Sequence, residues 1–299
     1  MIRLALLIPL FNLLFSIAPN ENALPGSSRF PYRPNQPDFR VSLPDVLTEV
    51  SGIAWIDPTT LACIQDENGT IYTYDLNRKT IIKSYTFGEP GDFEGITMAG
   101  DVMYILRSDG IIYEINNFRS AGMAENEYTL RISSPNCEGI CYDKSNNRLL
   151  IASKGKSADK DEKEARDLRF VYAFDLQTKT MNPKPFMSVN LNEVEAFARS
   201  KGISLPEKKS KDGEVREAHL RLRSSEIAIH PLTRDIYILS AAEYLLYVFS
   251  PAGRISDIIP LDKELYPKAE GLTFSPEGNM YITNEGDKEA PTLLFIRKI

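Results

Sequence analysis

Three observations predict an all-β ring of blades around one axis. A five-residue motif recurs five times, the same order of turns and strands follows each copy, and the copies are evenly spaced. The copies are Ser51-Gly52-Ile53-Ala54-Trp55, Glu94-Gly95-Ile96-Thr97-Met98, Glu138-Gly139-Ile140-Cys141-Tyr142, Ser225-Glu226-Ile227-Ala228-Ile229 and Glu270-Gly271-Leu272-Thr273-Phe274. Their starts lie 43, 44, 87 and 45 residues apart, and the 87 is one repeat carrying an insertion. Four short strands in a unit of this length are the mark of a β-propeller, here five-bladed, with a six-bladed ring as the alternative.

Each repeat reads alike. The motif supplies the first strand. A turn rich in Asp, Pro, Asn or Gly follows: Asp57-Pro58, Gly100-Asp101, Asn146-Asn147, and residues 231–235 and 276–279. Next come short apolar strands at residues 102–106, 149–152, 236–239 and 280–283. Third strands rich in Tyr and Phe alternate over residues 71–76, 111–115, 170–176 and 246–249. Fourth strands fit residues 81–87, 128–132, 184–189 and 254–260. Period-2 alternation bounded by turn residues is the strand signal. The last repeat ends after its third strand, so residues 38–43 are expected to return as its fourth. Such closure removes exposed sheet edges.

The domain expectation is therefore a propeller over residues 38–299 with an insertion at 191–222. Asn192 is read as the cap of a short helix there, and residues 208–217 as a charged surface loop. Residues 157–167 form another charged run. Before the propeller, Arg3 precedes an apolar run at residues 4–18, and Pro25, Gly26, Ser27 and Ser28 end it. A basic start, an apolar middle and a break have the layout of a secretory signal over residues 1–25, either cleaved or kept as a membrane anchor. The expected location is extracytoplasmic, periplasmic or secreted.

The chain has 299 residues, 42% hydrophobic and 25% charged, with a formal net charge of -6. That charge argues against a sequence-independent grip on nucleic acid, which needs a basic footprint. The three cysteines are Cys63, Cys137 and Cys141. The last two, on one strand, would lie roughly 13 Å apart, too far for a disulfide. All three read as small buried apolar groups. Only His219 and His230 exist, so a three-His metal site is excluded and a Ser-His-Asp triad on the ring is not expected. The sequence has no phosphate-cradling glycine loop, zinc-type cysteine spacing or nucleophile elbow.

The first strand of each blade lines the axis of a propeller, which puts Ser51, Glu94, Glu138, Ser225 and Glu270 in one ring at one end. Loops after the second strands open on the same face and add Asp66, Glu67, Arg107, Ser108, Ser153, Lys154, Ser240, Asn284 and Glu285. Like-charged carboxylates about 4 Å apart repel by about 4 kcal/mol at an effective dielectric of 20. Protonation or an entering cation relieves that repulsion. Oxygen-only donors favour Ca²⁺, or Mg²⁺, over Zn²⁺. Glu94, Glu138 and Glu270 are the expected metal donors; the alternative is that they cap backbone amides or pair with Arg107 or Lys154.

The segments Asp92-Phe93-Glu94-Gly95-Ile96, Cys137-Glu138-Gly139-Ile140, residues 225–231 and residues 269–285 resemble the SdiA-regulated family of bacterial propellers over roughly residues 39–299. The resemblance implies an exported or membrane-anchored five-bladed propeller with no firmly assigned reaction. The insertion at 191–222 departs from the family's plain pattern.

Three functions remain open on the sequence. One is a cation-binding module, with calcium the expected ion in the mouth and a small ligand or cell-envelope partner above it. Another is a metal-dependent phosphoester or ester hydrolase using the same acids. The third is an interaction scaffold without an ion. A monomer is expected.

Overall fold

The computed structural model describes residues 30–118, 124–132, 136–154, 167–205, 207–209, 215–217 and 219–299. The N-terminal apolar run and most of the charged run at 157–167 lie outside the described residues. From residue 31 the chain forms five antiparallel sheets arranged in a ring. The expected five-bladed propeller is what the chain adopts, and the six-bladed alternative falls.

Blade 1 holds β2 (Val50–Asp57), β3 (Thr60–Gln65), β4 (Thr70–Asp75) and β5 (Thr80–Thr86). Blade 2 holds β6 (Phe93–Ala99), β7 (Val102–Arg107), β8 (Ile111–Asn116) and β9 (Ala124–Thr129). Blade 3 holds β10 (Cys137–Asp143), β11 (Arg148–Ser153), β12 (Leu168–Asp175), and an outer edge split into β13 (Thr180–Met181) and β14 (Met187–Asn190). The single outer strand expected at 184–189 is broken because Pro183 and Pro185 cannot donate to the ladder. Blade 4 holds β17 (Glu226–Ile229), β18 (Ile236–Ser240), β19 (Leu245–Phe249) and β20 (Ile255–Pro260). Blade 5 holds β21 (Ala269–Phe274), β22 (Met280–Asn284) and β23 (Thr292–Ile296), completed by β1 (Phe39–Ser42) from the other end of the chain.

That closure is tied down on both sides of β1. β1 pairs with β23 from Phe39 opposite Phe295 to Ser42 opposite Thr292. Upstream, the Tyr32 hydroxyl donates to the Gly278 carbonyl at 2.5 Å, and the Tyr266 hydroxyl donates to the Pro34 carbonyl at 2.6 Å. Asn35 donates to the Pro260 carbonyl and accepts from the Asp262 N–H.

The first strands β2, β6, β10, β17 and β21 contact one another in ring order around the axis. Apolar residues between successive blades make the core, with buried Leu61, Ile105, Leu149, Ile238 and Leu293 drawn from second and third strands. All three cysteines are free and buried.

The insertion between blades 3 and 4 forms α1 (Leu191–Ser200) and a small ribbon of β15 (Glu207–Lys209) with β16 (Val215–Glu217). The helix is capped by Asn190, whose side chain accepts the Asn192 N–H at 3.0 Å. Asn192 lies in the first turn instead of capping it. The expected charged loop over 208–217 contains the ribbon. Packing explains why the helix holds: Leu191, Val194 and Ala198 are buried in the core between blades 3 and 4.

Candidate functional site: the acidic mouth of the axis

Ser51, Glu94, Glu138 and Glu270 share a backbone feature. Each is the extra residue of a bulge in its first strand, skipped between Val50 and Gly52, Phe93 and Gly95, Cys137 and Gly139, and Ala269 and Gly271. A bulge re-aims its side chain relative to the flat ladder. The glycine that follows sits where the next blade comes close. A Cβ on Gly95 would lie 3.0 Å from Ile140 Cγ2, and one on Gly139 would lie 2.6 Å from the Ile227 nitrogen. Only a missing side chain permits that approach.

Blade 4 breaks the pattern. Glu226 pairs with Leu239, the register taken by glycine in the other four blades, so a carboxylate stands where the other blades keep a glycine. Glu226 is 1% exposed. Its Oε1 accepts from the Ile140 N–H at 3.0 Å and the Ile227 N–H at 2.8 Å. Its Oε2 is buried and meets no hydrogen-bond partner among the described residues.

The carboxylates around it perturb one another. Burial, then the Glu138 and Asp92 carboxylates, push Glu94 up to about 9, with Lys154 opposing. Burial and Glu285 push Glu270 up to about 8. Burial raises Glu226 well above the carboxylate range, against its two backbone donors, with Glu270 and Glu94 adding to the rise. Burial, Glu49 and Glu285 lift Asp66 to about 6. All of these shifts favour the protonated form of the acids in the mouth.

Two lysines answer part of that charge. Lys154 Nζ lies 2.8 Å from Glu138 Oε2, and Glu138 is 2% exposed. Burial works against the Lys154 charge, but Glu138, Glu270 and Glu94 hold its pKa above the ordinary value. Lys268 pairs with Glu285 on the rim.

The ring expected from the sequence is thus partly assembled. Glu94, Glu138, Glu270, Lys154, Asp66 and Glu285 influence one another across the mouth. The other named residues are engaged elsewhere. Arg107 makes two bonds to Asp109 and one to the Tyr113 hydroxyl. Ser153 donates to the Phe170 carbonyl, Ser225 to the Ala269 carbonyl and Ser240 to Glu243. Asn284 donates to the Leu265 carbonyl and the Thr292 hydroxyl. Its Oδ1 and Ser51 Oγ are buried and meet no partner among the described residues, and Glu67 is exposed at the rim. Sequence reasoning missed Glu226, Asp92, Lys268 and Glu49. The only signal for Glu226 is that it replaces the motif glycine.

Among the described residues, no three His, Cys, Asp or Glu side chains are placed to hold one metal ion. The two histidines lie away from the mouth. His230 is buried in the turn after β17, at the far end, where its Nδ1 accepts the Thr233 N–H at 3.0 Å. His219 lies in the insertion, 3.3 Å from Glu195.

No family model matches the chain, and no curated protein sequence matches it. Solved structures do. Glutaminyl cyclase from Myxococcus xanthus superposes with a TM-score of 0.58 at 13% identity, covering 88% of this chain and 95% of that one. A chain of a nidogen/laminin complex gives 0.49 at 13% identity, covering 79% and 72%. Streptogramin B lyase gives 0.46 at 14% identity, covering 87% and 96%. At such identity the cyclase likeness speaks for the propeller fold alone.

Proposed function

We propose that this protein is a ligand-binding propeller that takes a positively charged group into its acidic mouth. The observation that carries the reading is Glu226: a carboxylate on the axis, buried, with Oε2 unpartnered, below Glu94 and Glu270. A carboxylate in that position is costly unless it is protonated or meets a cation. An arriving cation would displace the protons held by Glu94 and Glu270. The inorganic form of this reading is Ca²⁺, or Mg²⁺, which would have to draw Glu94, Glu138 and Glu270 together as oxygen donors, since no three described acids are placed around one ion. The organic form is a ligand ammonium, and Lys154 against Glu138 supports it by showing an ammonium seated in the mouth.

Export fits the reading. The N-terminal apolar run suits an extracytoplasmic protein, cleaved free or anchored, and the Glu-Gly motifs suit the SdiA-regulated propellers. A small ligand or cell-envelope partner would then meet a monomer at this face.

The test is calorimetric titration and thermal melting with Ca²⁺, Mg²⁺ and butylamine, each after chelator treatment. A ligand that binds only the folded state raises its stability by about 2.7 kcal/mol at a hundredfold excess over Kd. The expected result is a raised midpoint with at least one of the three, lost in Glu270→Gln. A midpoint unmoved by all three would overturn the reading.

A second reading is catalytic. Glu94, whose pKa burial and Glu138 push up to about 9, lies near the Glu138–Lys154 pair, and a carboxyl raised in this way can give a proton at pH 7. The M. xanthus neighbour is a glutaminyl cyclase, so this architecture does carry catalysis. Turnover of an ester and phosphoester panel, abolished in both Glu94→Gln and Glu138→Gln, would favour this reading; a dependence on added metal would make it the hydrolase that the sequence leaves open as an alternative.

A further inference from the structure

The end of the axis opposite the acidic mouth holds a cavity of about 530 Å³. That is within the roughly 300–1,000 Å³ of small-molecule sites. Its floor is the aliphatic ring Ile53, Ile96, Ile140, Ile227 and Leu272, all buried. Two residues further along the same five strands, on the same strand face, stand Trp55, Met98, Tyr142, Ile229 and Phe274. Phe274 is buried, while the other four are only half-buried. Every blade therefore places a large apolar side chain around this opening, and four of the five keep surface in contact with water.

The polar groups give the cavity a sign. Lys144, in the turn after β10, is the only charged residue lining it among the described residues. Lys144 is exposed and pairs with no carboxylate among the described residues. The neighbouring acid, Asp143, is committed to Arg148 at 2.9 Å and Arg234 at 3.7 Å. Other polar groups of the wall are also engaged: the Tyr142 hydroxyl with Asn147 Oδ1 at 3.2 Å, and Thr273 Oγ1 with the Trp55 N–H at 3.3 Å. What remains is a mainly apolar, partly aromatic bowl with Lys144, unpaired among the described residues, on its lip.

We propose that this cavity binds a small amphipathic anion, with an aromatic or branched aliphatic body in the bowl and a single acidic group at Lys144. The body covers the open faces of Trp55, Met98, Tyr142 and Ile229, which supplies the affinity. Lys144 selects the charge. This site is independent of the acidic mouth, and either can fail without the other.

Trp55 is the chain's only tryptophan and stands in the wall, so its emission reports the cavity directly. The probes are anilinonaphthalene sulfonate, an aromatic anion, and N-phenyl-1-naphthylamine, its uncharged analogue. Both are expected to quench Trp55 saturably with one probe per chain. Lys144→Gln, a change at an exposed side chain, is expected to weaken the sulfonate about threefold and leave the neutral probe unchanged, the size of effect one exposed charge has. Ile229→Ala, which strips apolar surface from the half-buried wall, is expected to weaken both. Absence of saturable Trp55 quenching, more than one probe per chain, or a sulfonate affinity untouched by Lys144→Gln would each overturn the proposal.

Discussion

Replacing Glu94 by glutamine keeps the size of the side chain and removes one titrating group from the mouth. Burial and the neighbouring carboxylates push Glu94 up to about 9 in the folded chain, against an ordinary value of 4.5. The folded state thus holds a proton that the unfolded chain releases. Stability from such a group is fully present below the unfolded pKa and is lost as pH rises toward the folded one. Each pH unit in that window removes about 1.4 kcal/mol. From pH 5 to pH 8 the upper bound is about 4 kcal/mol, and the partial exposure of Glu94 reduces the expected loss to about 2 kcal/mol. The wild-type protein should therefore weaken across this range, and Glu94→Gln should weaken less by about that amount. Urea unfolding at pH 5, 6.5 and 8 measures both curves. A saturating cation that binds the ionised mouth should flatten the wild-type curve and leave the variant's nearly as it was. Parallel curves for the two proteins would refute the account of the mouth as a proton store.

Three further outcomes follow from the same geometry. Lys154→Met strips the partner from Glu138, which is 2% exposed, and should cost about 2 kcal/mol at pH 7 but much less at pH 4, where Glu138 is neutral; calorimetry at the two pH values checks it. Gly139→Ala places a methyl 2.6 Å from the Ile227 nitrogen and 2.7 Å from Glu226 Oε1, and should cost about 3 kcal/mol in urea unfolding, whereas Gly95→Ala, with contacts of 3.0 Å and longer, should cost less. Deleting residues 1–43 removes β1 and its anchors Tyr32 and Asn35, and should expose the β23 edge as concentration-dependent association in size-exclusion chromatography.

The fold was legible because a propeller is written as a period. Each motif copy must place a small residue at the axis and an aliphatic one just beyond it, since five first strands converge there. That geometric demand repeats in the sequence as Gly52-Ile53, Gly95-Ile96, Gly139-Ile140 and Gly271-Leu272. The returning strand at 38–43 was legible for the same reason: a fifth blade one strand short leaves an edge that something must cover. The break between β13 and β14 and the cap at Asn190 rest on local chemistry, on prolines in one case and a single hydrogen bond in the other, and periodicity says nothing about either.

The site was legible only where it obeys the repeat. Alignment matched Ser225 to the acidic positions, and that match is correct, since Ser225 precedes the residue in the glycine register. What the repeat cannot say is that a residue breaking the glycine rule keeps its place and turns its side chain against the preceding blade. Two backbone donors make this possible: the N–H groups of Ile140 and Ile227 are free to bond Glu226 Oε1 because inner-edge strands leave donors facing the axis. The exception therefore has a physical reading that the rule lacks. Four glycines let the blades close, and one glutamate uses the same gap to bring a buried carboxylate against the neighbouring blade, where burial raises its pKa.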